Sequence, residues 1–255
     1  MRRNLLTQRL RDGETIFGTM VQEMQTPAIA QILEQLGFDF FMIDMESGAY
    51  SLETATNILR VGRLLEMCPL VRVASLEYHL IARVLDQGAM GVMLPRVEKC
   101  SEVEMLVETM KYPPMGKRGF ASSAPHTDYL SSPVPEFLEV NNQDTLVIAQ
   151  IELKAAVDRI DEILAVPGIH VALVGPQDLA ISLGVPGETG HPIVVDAIDK
   201  VLASAQKQDV VAGIHMGKIA PLKIWMEKGM RMIMLGSDLS FLMSAGREGL
   251  TQLRE

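Results

Sequence analysis

Two acidic residues, Glu152 and Asp178, stand just after successive apolar runs of this 255-residue sequence. Two carboxylates with no partnering histidine or cysteine suit a hard cation such as Mg²⁺ or Mn²⁺, whose other positions are filled by water and substrate oxygens. Acidic residues at such places also cap the helix or turn that follows, by accepting its first backbone N–H groups. The spacing therefore predicts a divalent metal site and leaves a capping role open for both residues.

An arginine and further acidic residues end other apolar runs. Arg72, in PLVRVAS, has apolar neighbours on both sides and needs an anionic partner, and a carboxylate that accepts a forked pair of hydrogen bonds matches it best. That partner is either a protein carboxylate, Asp44 or Glu46, or the carboxylate of a substrate. The residues alone favour the intramolecular salt bridge.

Short apolar runs alternate with longer amphipathic segments along the whole chain. The runs are nearly continuous in apolar residues, as is typical of parallel strands covered on both faces. Eight such units in 255 residues predict one domain, 1–255, with the α/β fold of a (β/α)8 TIM barrel. The predicted strands are 16–20, 39–45, 69–73, 91–95, 146–151, 170–175, 210–215 and 231–236, and the predicted helices are 26–36, 52–65, 77–87, 101–111, 155–164, 193–208 and 219–228.

A barrel of this kind gathers polar residues at one end, because its catalytic side chains come from the C-terminal ends of the strands. One connection, 112–145, is rich in Pro, Gly and Ser, and we expect a long loop, either functional or disordered, with a helical part near 135–141. The polar residues that the fold brings to one rim are Asp44, Glu46, Arg72, Gln150, Glu152, Asp178 and His215.

The composition excludes several classes of partner. Lys and Arg number 23 against 32 Asp and Glu, and the net charge of −9 argues against nucleic acid or an acidic membrane surface as the main partner. No uncharged apolar run approaches the roughly 18 residues of a membrane span, and the N-terminal segment carries charges where a signal peptide would be apolar. Cys68 and Cys100 show no metal-binding spacing, so we expect a reduced, cytoplasmic protein.

Seven motifs occur in order between residues 18 and 242: GFDFFMIDMESG, VRVAS, LDQGAMGVMLPRVE, YPPMGKRG, AQIE, PGIHVALVGPQDLAISLG and GSDLSFL. In content and order they resemble the HpcH/HpaI class II pyruvate aldolases, which include the 4-hydroxy-2-oxoheptanedioate and 2-dehydro-3-deoxyglucarate aldolases. The resemblance implies an enzyme, a metal-dependent carbon–carbon lyase that cleaves or forms 4-hydroxy-2-oxo acids from pyruvate and an aldehyde.

The resemblance also implies roles for individual residues. Glu152 and Asp178 would hold a divalent metal, Mg, Mn or Co. Arg72 would hold and polarise pyruvate, and Gln150 would lie beside the metal. Asp86, in LDQGA, matches an aspartate that reaches the site of a neighbouring subunit, in homo-oligomers from dimers to hexamers whose last helix is often exchanged between subunits. The remaining substrate contacts would be backbone N–H groups of the stretch that comprises Gly175, Pro176, Gln177 and Asp178.

The motif after the second strand departs from the family pattern. The family has Asp-x-Glu-His there, and its histidine is credited with proton transfer, whereas this chain matches the acidic residues with Asp44 and Glu46 and has Ser47 in the last position. A serine hydroxyl is too weakly acidic or basic to replace an imidazole near neutral pH. His215, at the end of strand seven, and His126, in the long loop, are the candidates to replace it. A hydrogen-bonded histidine that only shapes the pocket is the alternative for His215.

Two other functions stay open from the sequence. One is a relative that uses the same enolate chemistry on another acceptor, as in the citrate-forming branch of siderophore synthesis or in the CoA-ester lyases. The other is a protein that binds pyruvate and metal and has lost catalysis. The altered Ser47 motivates the first, and both follow because a fold does not by itself determine a function.

Overall fold

Eight parallel strands close into a barrel, in which each strand pairs with the next along the chain and β8 pairs with β1. The computed structural model describes residues 3–131 and 133–255. The predicted (β/α)8 TIM barrel is confirmed. The strands are β1 (Ile16–Val21), β2 (Phe40–Asp44), β3 (Cys68–Arg72), β4 (Gly91–Leu94), β5 (Leu146–Ile151), β6 (Val171–Val174), β7 (Val211–Met216) and β8 (Met232–Ser237).

Helices surround the barrel, and each predicted helix is present. The segment predicted at 155–164 is divided in two, because Arg159 leaves the helical conformation at φ −112°. The long connection holds a 3₁₀ turn at Pro125–Thr127. The helices are α1 (Leu5–Arg11), α2 (Ala28–Gln35), α3 (Leu52–Leu64), α4 (Tyr78–Asp86), α5 (Cys100–Met110), α6 (Val134–Asp144), α7 (Lys154–Asp158), α8 (Ile160–Leu164), α9 (Pro176–Ser182), α10 (Pro192–Lys207), α11 (Ile219–Lys228) and α12 (Asp238–Arg254).

Two layers of apolar side chains hold the barrel together. Inside it, strand residues such as Met42, Leu70 and Met93 pack against one another with no exposed surface. Outside it, strand residues such as Ile43 and Val71 pack against the helices. Burial of one such side chain favours folding by roughly 1.5–3 kcal/mol. Because both faces of each strand are covered, its apolar residues run continuously instead of alternating.

The N-terminal helix α1 covers one end of the barrel. Leu6 and Leu10 join the apolar cluster inside the strands. Asn4 caps α1 by accepting the N–H of Leu6 at 3.1 Å, and its side chain donates to the carbonyls of Met90 and Asp144 at 3.2 and 2.9 Å. Those carbonyls precede β4 and β5, so α1 lies at the N-terminal ends of the strands and leaves the C-terminal ends open.

The C-terminal helix α12 packs little against its own barrel. Asp238 is buried, whereas Leu242, Leu250 and Leu253 are 60%, 53% and 85% exposed. Exposed apolar side chains grouped in this way commonly mark a contact with another protein. The exchange of this helix between subunits stays a prediction. None of the helices in the described part of the chain is long and apolar enough to cross a membrane.

Candidate active site

Arg72 and Asp44 lie side by side at the C-terminal ends of β3 and β2, where the strand register pairs them. Arg72 donates from Nε to Asp44 Oδ1 at 2.9 Å and from Nη2 to Asp44 Oδ2 at 2.6 Å, while its Nη1 lies 3.0 Å from Glu46 Oε2. Burial alone would raise the pKa of Asp44, but the forked bond to Arg72 outweighs burial and holds that pKa below its usual value. The intramolecular salt bridge that the sequence favours is present.

The same guanidinium also reaches the centre of the barrel mouth. Arg72 Nη1 donates to Gln150 Oε1 at 3.4 Å. Both residues line a cleft of about 580 Å³, which leaves room for more than a three-carbon acid. Nε and Nη2 of the guanidinium are thus held by Asp44, and Nη1 contacts both Glu46 and Gln150 at the border of the cleft. Other predicted site residues that line this cleft are Gly175, Pro176, Gln177, Asp178 and His215.

Glu152 is 2% exposed and accepts two hydrogen bonds. Its Oε1 accepts the backbone N–H of Arg96 at 2.9 Å, and its Oε2 accepts from Gln150 Nε2 at 2.5 Å. Burial raises the pKa of Glu152 to about 7, against the opposing effect of the Arg96 N–H, and the nearby carboxylate of Asp178 adds to the rise. The capping role left open for Glu152 is not observed, because its oxygens bond elsewhere and α7 begins after Leu153 with no side-chain cap.

Two backbone features bring the donors to Glu152. Arg96 has a positive φ of 55°, a conformation that is uncommon outside glycine, and this conformation directs its N–H at the carboxylate. At Gly175 an added Cβ would lie 2.7 Å from Glu152 Oε2 and 3.0 Å from Gln150 Nε2, so only glycine fits there. The sequence shows the glycine before Pro176 but gives no sign of the Arg96 contact, which no side chain makes.

Two of the carboxylates at the mouth are of the type that binds a divalent cation. Asp178, in the first turn of α9, is exposed and has no hydrogen bond or ion pair with a described residue. Burial raises the pKa of Glu46 as well, although Arg72 opposes it. The described residues hold no cluster of three or more His, Cys, Asp and Glu. Glu152 and Asp178 are a two-carboxylate set, which is the kind that binds Mg²⁺ together with water and substrate oxygens.

His215 lines the cleft at the end of β7. Its Nε2 lies 2.9 Å from the carbonyl oxygen of Gly236. Because a carbonyl only accepts hydrogen bonds, this contact is a hydrogen bond only if Nε2 carries the ring proton. Burial lowers the pKa of His215, and the charge of Arg72 lowers it further, in opposition to the Gly236 carbonyl and Asp44. Burial therefore favours the neutral form of the imidazole.

Two other residues that the sequence singled out, Ser47 and His126, do not line the cleft. Ser47 is exposed, and its N–H donates to Asp44 Oδ1 at 3.2 Å. The prediction that His126 could transfer protons is wrong. His126 is buried at the opposite end of the barrel, where its Nδ1 lies 3.3 Å from the carbonyl oxygen of Asp86. The connection that carries His126 folds back under α4, so its side chain cannot reach the mouth.

Asp86 ends α4 at the N-terminal end of the barrel. Its Oδ1 accepts from Arg118 Nη2 at 2.7 Å. Within one chain Asp86 is not brought to the cleft of Arg72 and Glu152. Its role in the site of a neighbouring subunit stays a prediction.

Comparison with known proteins defines the class of this enzyme. The sequence model of the family described as HpcH/HpaI aldolase/citrate lyase matches residues 20–245. The chain belongs to this family, and the predicted carbon–carbon lyase of the aldolase type is confirmed.

Individual relatives support the same class. A hydroxypyruvate/pyruvate aldolase of Paraburkholderia phytofirmans is 32% identical over 98% of this chain and 98% of that protein. The crystal structure of an HpcH/HpaI aldolase from Desulfitobacterium hafniense DCB-2 has a TM-score of 0.95 and 33% identity, and covers 98% of this chain and 96% of that one. The citrate synthase SbnG has a TM-score of 0.89 and 26% identity, with 98% and 97% covered. The alternative acceptor chemistry thus has the more distant support.

Proposed function

We propose that this enzyme is a metal-dependent pyruvate aldolase. In one direction it splits a 4-hydroxy-2-oxo acid between C3 and C4 into pyruvate and an aldehyde, and in the other it joins them. The observation that carries the proposal is the pair Glu152 and Asp178 beside the cleft that Arg72 borders, since neither carboxylate forms an ion pair with a described residue. The hydroxypyruvate/pyruvate aldolase among the relatives supports the same substrate class.

Glu152 and Asp178 are the residues that hold the metal in this proposal. A divalent cation supplies stabilisation of the negative charge that develops on the ketone oxygen of pyruvate. Arg72 directs Nη1 toward the same oxygen, and Gln150 fixes the Glu152 carboxylate through its amide. The backbone N–H of Gln177, in the first turn of α9 at the edge of the cleft, donates to the carboxylate of pyruvate.

His215 is the residue that we assign to proton transfer, in place of the family histidine that Ser47 replaces. In the cleavage direction its Nδ1 takes the proton of the 4-hydroxyl group. The C3–C4 bond then breaks, the aldehyde leaves, and the electron pair of that bond forms the enolate of pyruvate. The imidazolium returns its proton to C3 and gives pyruvate. A positioned general base of this kind contributes about 10²–10⁴-fold to the rate.

The test is exchange of the pyruvate methyl protons in D₂O, followed by proton NMR with Mg²⁺, Mn²⁺ or Co²⁺. We expect that the exchange requires the metal and that it does not require an aldehyde. Added aldehydes should then give 4-hydroxy-2-oxo acids. Pyruvate that keeps its methyl protons with every metal would contradict the proposal, and metal-dependent binding of pyruvate without exchange would identify a protein that has lost catalysis.

Three variants test the assignment of His215. His215→Gln retains an N–H for Gly236 and loses the basic nitrogen, so exchange should slow by about 10²–10⁴-fold. Ser47→His should change the rate little, because the base is already supplied. His79→Gln is the matched control, since His79 has a side chain 62% exposed on α4. A large gain in Ser47→His with no loss in His215→Gln would show that the proton-transfer group is missing, not replaced.

A second candidate function is condensation with an acceptor other than an aldehyde. The similarity to the citrate synthase SbnG, at 26% identity, favours it. It predicts release of free CoA from acetyl-CoA in the presence of oxaloacetate, with no cleavage of 4-hydroxy-2-oxo acids. The two activities are therefore separated by assaying both reactions on one preparation.

We also propose that the enzyme is a homo-oligomer, from a dimer to a hexamer, in which another subunit covers α12. The exposed apolar residues of that helix support this proposal. Light scattering should give a multiple of the 28.0 kDa chain mass, and Leu242→Glu with Leu253→Glu should lower it. A monomeric wild-type protein would contradict the assembly and, with it, the role of Asp86 in a neighbouring site.

A further inference from the structure

Strand β8 contains a β-bulge that contacts His215. Gly18 pairs with Met234 and Met20 pairs with Ser237, so β8 has one residue more than β1 across this stretch. Gly236 falls in the bulge with φ of +52°, in the left-handed region that favours glycine. A Cβ at this position would lie 2.6 Å from Ser240 Oγ. Such bulges change the direction of the groups on either side of them.

Side-chain bonds hold the bulge on both sides. Thr19 Oγ1, fully buried on β1, donates to the carbonyl of Leu235 at 2.8 Å. Ser240 Oγ accepts the N–H of Ser237 at 2.7 Å and donates to the carbonyl of the same residue at 2.8 Å. The carbonyls before and after Gly236 are therefore bonded to the protein, and the carbonyl of Gly236 itself is left for His215.

We propose that this bulge is a positioning device, in which the Gly236 carbonyl fixes His215 as the Nε2–H tautomer and leaves the Nδ1 lone pair facing the cleft. The inference rests on the proton-transfer role given to His215 in the proposed function. Nδ1 has no hydrogen bond with a described residue and is not among the buried unpartnered atoms, so it is accessible from the cleft that the ring lines.

The other tautomer is excluded by the acceptors around the ring. With the proton on Nδ1, the lone pair of Nε2 would face that of the Gly236 carbonyl at 2.9 Å, and neither atom would have a donor. Arg72 and Asp44 are the charged residues that shift the pKa of the ring, and neither donates a hydrogen bond to Nε2. A ring fixed in this way presents the same nitrogen to the substrate in every molecule.

The tautomer can be measured directly on the wild-type enzyme. The chain has five histidines, so each ¹⁵N-histidine signal can be assigned from its loss in a single His→Gln variant. At about pH 8, above the ordinary histidine pKa of about 6.5, we expect an unprotonated Nδ1 and a slowly exchanging Nε2–H for His215. His79, which is exposed, is the internal reference and should show a rapidly exchanging ring N–H.

Gly236→Ala tests whether the bulge sets the tautomer. We expect a mixture of tautomers and methyl exchange slowed at least tenfold, up to the roughly 10²–10⁴-fold expected for His215→Gln. Gly37→Ala is the matched control: Gly37 also has a positive φ, of +85°, with no atom within 4 Å of an added Cβ, and it lies far from the cleft. If Gly236→Ala does not fold, Thr19→Val loosens the bulge without a change of glycine.

The outcomes separate this inference from the function on which it rests. An Nδ1–H tautomer in the wild type, or a ring that behaves as His79 does, overturns the inference even if pyruvate exchanges its protons. A fixed Nε2–H tautomer in a protein that exchanges no pyruvate protons overturns the proposed function instead. Unchanged exchange in Gly236→Ala with an altered tautomer would overturn the link between the two.

Discussion

The two ends of the barrel both bury charged groups, but they differ in what those groups are bonded to. At the N-terminal end, Lys111 has no exposed surface, and its Nζ donates to the carbonyls of Asn142 and Thr145, both at 2.6 Å. At the C-terminal end, Glu152 is bonded only to uncharged donors, and Asp178 has no partner among the described residues. The first arrangement is complete without a ligand, and the second is where we propose that a cation binds.

Shifted pKa values alone do not tell the two ends apart. Burial lowers the pKa of Lys111 to about 7 and raises the pKa of Glu152 to about 7, so both depart strongly from their usual values. The difference is the cleft, whose lining includes Gln150 and Gly175, the neighbours of Glu152, and does not include Lys111. A perturbed pKa identifies a functional residue when a ligand can also approach it.

Arg118 combines a buried unpartnered atom with a charge that has a partner in the chain. Its Nε is a buried atom without a partner among the described residues, at the N-terminal end of the barrel. The guanidinium is nevertheless bonded to Asp86 at 2.7 Å and lies 4.8 Å from the centre of the Tyr112 ring. Its charge is therefore neutralised within the chain.

Glu152→Gln should have the largest effect at the mouth. We expect Mn²⁺ binding to be lost and methyl exchange to fall at least about 10³-fold, or about 4 kcal/mol, because the metal no longer stabilises the developing charge. The melting temperature should change little, because the amide removes a buried charge but turns its NH2 group toward one of the two donors that the carboxylate accepts. Calorimetry with Mn²⁺ and thermal melting check both. Wild-type Mn²⁺ affinity in this variant and in Asp178→Asn would remove the distinction between the two ends.

A loss of stability in acid should come from the opposite end of the barrel. Burial lowers the pKa of His126 to about 4, so in acid the unfolded chain binds a proton that the folded chain does not. The contribution of His126 to stability is therefore complete above about pH 6.5 and falls as the pH drops toward 4, by about 3 kcal/mol at roughly 1.4 kcal/mol per unit. Glu152, whose pKa is raised to about 7, contributes in the opposite direction, so the difference between the wild type and His126→Gln isolates the histidine. Urea unfolding across this range measures that difference.

His126→Gln should flatten this dependence in part, because burial also lowers the pKa of His170, to about 3. His79→Gln is the control for a histidine that is exposed. If the free energy of unfolding had the same dependence on pH in His126→Gln as in the wild type, the burial of His126 would not oppose its protonation.

Lys111→Met should cost stability and leave the chemistry intact. Two buried carbonyls lose their donor, at about 1 kcal/mol or more each, so we expect a loss of about 2 kcal/mol. Methyl exchange per folded molecule should equal that of the wild type. This result is the reverse of that for Glu152→Gln, and a folded Lys111→Met protein without exchange would place chemistry at the wrong end of the barrel.

Arg72→Lys should have the smallest effect, about tenfold in the affinity for oxalate, or about 1.4 kcal/mol. Lysine keeps the charge but cannot make the fork to Asp44 and still reach Gln150. Calorimetry with oxalate in the presence of Mn²⁺ provides the measurement. Wild-type affinity would show that Arg72 only neutralises protein carboxylates.

The barrel and the residues of its rim could be predicted from the sequence, because the pattern of apolar runs and the type of each side chain can be read from it directly. Sequence reasoning missed α9, whose seven residues from Pro176 are too few for a helical period, and it missed the roles of Arg96 and Gly236. Those two act through a backbone N–H and a backbone carbonyl, which every residue of similar conformation offers. His126 was placed wrongly because the course of a long connection depends on packing between distant segments.

The pairing of β1 with β8 also sets the order in which the chain can assemble. Thr19 and Leu235 are joined by a hydrogen bond across 216 positions of sequence. Until β8 has left the ribosome, β1 has an unpaired outer edge of backbone N–H and C=O groups, and such edges recruit strands from other chains. The growing chain is therefore most exposed to aggregation late in synthesis, when seven strands are present and the eighth is not.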